Sequence, residues 1–113
     1  MRRSIIDAIS LSELRMWALS GLWQNPRLTP EADGLAFIST GVAWPIFEAM
    51  RNLFEIGQPV TLPKIFAESG FDWDVAIGLA VLPEVSLSED QTRCYLDRLS
   101  KRFDIEEKRH AAA

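Results

Sequence analysis

Cap residues, prolines and glycines cut this chain into short segments of helical period, and no stretch alternates apolar and polar residues well enough to be a strand. That constraint points to an all-α fold. Ser10-Leu11-Ser12-Glu13 has the form of a capping box, in which Ser10 and Glu13 satisfy each other's backbone amides. Leu11, Leu14, Ala18, Gly21 and Leu22 then recur at helical spacing until Asn25-Pro26 stops them. Thr29-Pro30-Glu31 reads as a second helix start, cut short by Gly34 and Gly41. The next helix begins near Trp44-Pro45, carries an apolar stripe of Ile46, Phe47, Met50, Leu53 and Phe54, and meets a left-handed stop at Gly57. Thr61 caps a short helix over 62–69 that ends at Gly70, and Asp72 caps another over 73–82 with Pro83 beyond it. Ser86 and Ser88 compete to cap the last and longest helix, over 89–109, about 30 Å at 1.5 Å per residue.

The economical architecture is a compact bundle of about six helices: an N-terminal arm over 1–10, a helical head over 11–88, and a long C-terminal helix over 89–113 that leads to a linker or a partner. Ala111-Ala112-Ala113 reads as a cloning remnant and bears no weight in the fold. With 113 residues there is room for one domain. Apolar residues at 48% supply enough core material to exclude a disordered chain. The least polar stretch, 35–47, is broken by Ser39, Thr40, Gly41 and Pro45 and is too short to span a membrane. Met1-Arg2-Arg3 is followed by Ser4, Asp7 and Ser10 rather than a continuous apolar run, so no signal peptide is expected, and a cytoplasmic location follows by default.

No arrangement of residues reads as catalytic. The six glycines are scattered and form neither a phosphate loop nor a nucleophile elbow. Cys94 and His110 lie far apart on one helix, so the histidine cannot activate the thiol, and Cys94 is read as a small helix residue. Glu107-x-x-His110 has the spacing of a carboxylate-bridged metal motif, but only one copy exists; the histidine is read as a charge near the negative end of a helix. Asp72-x-Asp74 is read as a cap followed by a first-turn acid rather than a calcium loop. The expectation is a non-enzymatic chain without metal or cofactor.

A formal charge of −4 disfavours a domain built to grip phosphates. Lys101-Arg102 and Lys108-Arg109 are interleaved with Asp104, Glu106 and Glu107, the pattern of a solvated helix, while Arg2-Arg3 stands alone. Four tryptophans are many for this size. Trp17 lies off the seam of its helix and Trp73 in a first turn. An indole left partly exposed anchors protein partners, so Trp17, Trp44 and Trp73 are candidate contact residues, against the alternative that they fill the core.

The block over 45–61 resembles the N-terminal domain of bacterial replicative helicases, the DnaB family. Ile46-Phe47, Met50, Leu53, Gly57 and Pro59 occupy the family's places in register, with Val60-Thr61 standing for its Ile-Asp. Residues 14–24 are similar to the family's first helix, and Leu35-Ala36-Phe37 to the segment ending in its Phe. Residues 97–109 are similar to the start of the chain leading to its linker helix. Ala43 and Trp44 stand where the family usually carries a His-Arg pair. The helicase-binding C-terminal domain of bacterial primases shares the fold; the Gly57-x-Pro59 turn favours the helicase side. The resemblance implies a non-catalytic collar domain that pairs with itself, to a dimer or higher, and receives primase, helicase or helicase loader. It also implies that the long last helix opens a hairpin through which Leu96, Leu99 and Phe103 make the self-association contact, the alternative being that these three pack on the domain's own core. A DNA-binding regulator built on the helices over 62–69 and 73–82 is the second expectation. It is weakened because the later helix offers bases only Trp73 and Asp74.

Overall fold

The computed structural model describes residues 9–38 and 41–112, the side chains of 107–112 excepted. Among these residues there are five α-helices, two 3-10 segments and no strand. The helices are α1 (Leu11–Gln24), α2 (Ala43–Glu55), α3 (Leu62–Glu68), α4 (Trp73–Ala80) and α5 (Glu89–Ala112). The all-α expectation holds, with the long helix last in the chain.

Helix α2 is the hub. Its inner face buries Ile46, Phe47, Ala49, Met50 and Leu53. They meet Leu14, Ala18, Leu19 and Leu22 of α1, Ile65 of α3 and Val75 of α4 in one core. Phe47 stacks on Phe37 with ring centroids 4.5 Å apart. The helix ends in a Schellman motif: Gln58 N–H donates to the Leu53 carbonyl and Gly57 N–H to that of Phe54. Gly57 takes φ +74° there, the left-handed conformation that glycine adopts without a Cβ penalty.

Helices α1 and α5 run antiparallel: Asn25, past the end of α1, bonds to Thr92 in the first turns of α5, and Arg102 donates to the Ile9 carbonyl ahead of α1. Between them the backbones come close. A Cβ on Gly21 would lie 2.6 Å from Thr92 Oγ1. Thr92 is fully buried; its hydroxyl donates to the Ser88 carbonyl at 2.8 Å and accepts from Asn25 Nδ2.

Several local expectations need correction. Thr29 does not cap a helix. It lies inside a 3-10 segment, Pro26–Glu31, where its buried hydroxyl donates to the Pro26 carbonyl at 2.6 Å. The expected second helix is therefore two 3-10 pieces, this one and Gly34–Phe37, the latter begun by Asp33. The division falls at Ala32 and Asp33, whose backbones are extended. The Ser10 box is half made: Glu13 N–H donates to Ser10 Oγ, but the Glu13 carboxylate takes the serine hydroxyl instead of a backbone amide. Ser88 wins over Ser86 and forms the full reciprocal box with Gln91. Helix α4 stops at Ala80, short of the expected Leu82. Helix α5 continues into the alanine tail, because alanine is the best helix former available. Residues 1–8, with most of the expected arm and Arg2-Arg3, lie outside the described residues, as do the side chains of Glu107 and His110.

Candidate docking surface

Helix α4 is apolar all round beyond its first turn. Its sequence, Trp-Asp-Val-Ala-Ile-Gly-Leu-Ala, holds one charged residue, and Val81 and Leu82 follow. Such a helix normally lies wholly inside a protein. Here only one side is covered. Val75, Gly78 and Leu79 are buried. A Cβ on Gly78 would come within 2.6 Å of Val42 Cγ2 and 3.0 Å of Ile46 Cδ1, so glycine is what lets the helix seat against α2. The opposite side is bare: Trp73 is 75% exposed, Ile77 63% and Val81 65%. These three stand at i, i+4 and i+8, a single stripe along the helix.

The turn into α4 extends the stripe. Helix α3 ends in a second Schellman motif, with Phe71 N–H donating to the Phe66 carbonyl and Gly70 N–H to that of Ala67. Gly70 takes φ +80°, and Phe71 follows at φ +60°. A left-handed phenylalanine costs on the order of 1–2 kcal/mol. It holds its place through the hydrophobic contact that accompanies this motif: Phe71 meets Phe66 edge to face at 5.4 Å. Phe66 in turn packs against Trp73 at 5.3 Å. Phe71 is nevertheless 66% exposed. Phe71, Phe66, Trp73, Ile77 and Val81 thus form one continuous apolar surface. Asp72 and Asp74 flank it, the former capping α4 by accepting from Asp74 N–H at 2.9 Å.

Beyond α4, a crevice of about 320 Å³ opens between Trp23, Leu62, Leu79, Leu82 and the 83–86 loop. Val85 lines the crevice and is half exposed. The loop is fixed by polar side chains of α1. Ser20 donates to the Pro83 carbonyl at 2.6 Å, Gln24 to that of Val85 at 2.8 Å, and Leu87 N–H donates to Gln24 Oε1 at 2.8 Å. Asn25 adds a bond to the Leu87 carbonyl.

The residues expected to make contacts fall into three groups, exposed, half-buried and buried. Trp73 is on the surface just described. Trp17 and Trp44 are half-buried: Trp17 lies against Tyr95 at 5.7 Å, and Trp44 is covered by the Arg51 guanidinium, 5.6 Å from its ring. Leu96 and Leu99 belong to the domain's own core against α1, Leu99 being 1% exposed; the half-buried Phe103 packs at its edge. The side chains of Leu96 and Leu99 are buried within the domain, while Phe103 keeps part of its ring at the surface. Ile77, Phe71, Val81 and Val85 escaped the sequence reading. For Ile77 and Val81 the sequence carries a partial signal: from Val75 to Pro83 there is no polar or charged side chain, which marks an apolar helix without marking its outer side.

The charged groups form surface pairs. Arg27 pairs with Glu89, and Arg93 with Glu31 at 3.0 Å. The hydrogen bond from Arg93 holds the Glu31 carboxyl below its ordinary value, and the same pair raises Arg93. Burial lowers Arg15, which donates to the Ala36 carbonyl at 2.7 Å. Cys94 is exposed. Among the described residues no three His, Cys, Asp or Glu side chains gather to hold a metal ion, and no helix is long and apolar enough to cross a membrane. No family model, curated protein or solved structure matches the chain.

Proposed function

We propose that this chain is a non-catalytic protein-interaction domain of the DNA replication machinery, a relative of the replicative helicase collar that self-associates and docks primase, helicase or helicase loader. The observation that carries the docking part is the uncovered face of α4. Burying Trp73, Ile77 and Val81 gains free energy at roughly 25 cal/mol per Å² of apolar surface, and the fold leaves that gain unused. The replication part rests on the 45–61 block, whose stripe, left-handed stop and capped short helix follow the family pattern. Helix α4 is poorly suited to reading DNA. The outer face of α4 presents indole and aliphatic groups, which have no donors or acceptors to read base edges apart from the single indole N–H.

The test is titration of the purified chain with primase, helicase and loader, beside sedimentation at several concentrations. The expected result is a complex with at least one of the three, lost on Ile77→Lys while helicity is unchanged. Failure to bind any of them refutes the docking role, and a strict monomer to high micromolar concentration refutes self-association.

A further inference from the structure

The occupant of the α4 face can be specified by charge. From residue 65 to residue 88 the chain has no Lys, Arg or His, and four acids: Glu68, Asp72, Asp74 and Glu84. That excess of four equals the formal charge of the whole protein, −4, so the remaining residues taken together sum to zero. Asp72 and Asp74 bracket Trp73 at one end of the apolar stripe, and Glu84 follows Val81, its other end, by three residues and lines the neighbouring crevice beside Val85. All three are exposed.

Taking the open parts of Phe71, Trp73, Ile77 and Val81 together, the bare surface is on the order of 500 Å². A stable pair of folded domains covers roughly 800 Å² per partner. One amphipathic helix laid along the stripe needs less, and it reads anchors at i, i+4 and i+8 spacing. A second copy of this chain on the same face would set acid against acid, since no basic residue of 65–88 is there to answer Asp72, Asp74 or Glu84. An anionic lipid surface or a phosphate backbone meets the same repulsion.

We infer that the face formed by Phe71, Trp73, Ile77 and Val81 receives an amphipathic helix of a partner protein whose apolar stripe is flanked by Lys or Arg. The inference rests on the docking role proposed above and adds the chemistry of the partner. The apolar stripe supplies the affinity. The two acidic ends select the basic flanks and exclude a self-pair.

The experiment uses the full chain and two synthetic helical peptides with the same leucine stripe, one flanked by lysines and one by glutamates. Binding is followed by isothermal titration and by amide chemical shifts. The expected result is at least tenfold tighter binding of the lysine peptide, about 1.4 kcal/mol, with shifts centred on 71–85. The preference shrinks as salt is raised from about 0.1 M to about 1 M. Asp74→Asn with Glu84→Gln removes most of the preference and leaves the glutamate peptide's affinity unchanged or raised. Ile77→Lys abolishes binding of the lysine peptide at unchanged helicity. Equal binding of the two peptides overturns the inference, as do shifts centred elsewhere or a self-association that Ile77→Lys abolishes. If neither peptide binds at this face but primase, helicase or loader does, this inference fails and the docking role stands. If nothing binds, both fail.

Discussion

The seam between α1 and α5 and the outer face of α4 are both lined by helices, yet they are finished in opposite ways. At the seam every demanding group has a partner. Thr92 is buried and doubly bonded, Asn25 reaches three acceptors, and Gly21 leaves no room for a Cβ against the Thr92 side chain. At α4 the inner side is fitted as tightly, through Gly78, and the outer side is left to water. Polar satisfaction marks a contact the domain completes by itself. A dense apolar stripe without any covering marks one it does not.

Substitutions at the seam should cost stability, and those on the α4 face should not. The largest effect is expected for Leu99→Ala, about 2–5 kcal/mol by denaturant unfolding, because Leu99 is sealed in the core. A cost under 1 kcal/mol would mean that the seam is looser than its burial implies. Gly21→Ala should cost about 1–3 kcal/mol, since the new methyl meets Thr92 Oγ1 at 2.6 Å. In a Thr92→Ala background the penalty should shrink, and a double-mutant cycle reads that coupling. Gln24→Ala should cost about 1 kcal/mol and speed hydrogen exchange at the Leu87 amide, which loses its acceptor. On the other side of the comparison, Ile77→Ser should change stability by no more than about 0.5 kcal/mol. A larger loss would show that the outer face of α4 is covered within the domain. The smallest effect concerns acid. The Glu31 carboxyl is held below its ordinary value of 4.5 by Arg93, so its contribution is complete above that pH and fades as pH falls through the lowered value. Because the pair lies at the surface, Glu31→Gln should alter the acid limb of a stability curve only slightly, and added salt should erase the difference.

Much of the fold was legible because it is punctuated. Gly57, Thr61, Gly70, Asp72 and Ser88 each do locally what their side chains, or the lack of one, dictate, and boundaries built on them came out within a residue or two. The errors arose where a local signal competes with a tertiary one. Thr29 has the form of a cap, yet burial drew its hydroxyl back to the Pro26 carbonyl. The surface was harder to read. Leu96 and Leu99 stand out because they form a stripe among charges, and it is the charges around them that reveal an inward-facing seam. Ile77 lacks such contrast. In a helix whose one charged residue, Asp74, sits in the first turn, the apolar residues beyond it carry no phase, so their spacing does not tell which side faces in. That depends on Gly78 and on where Val42 and Ile46 stand in three dimensions.

The anchoring of the 83–87 segment has a consequence for how this protein can change. Ser20, Gln24 and Asn25 grip main-chain atoms only: the carbonyls of Pro83, Val85 and Leu87 and the amide of Leu87. Nothing in those grips depends on which side chains the segment carries. Glu84, Val85 and Ser86 are therefore free to drift under mutation, and the protein can retune what the crevice admits while its architecture is inherited intact.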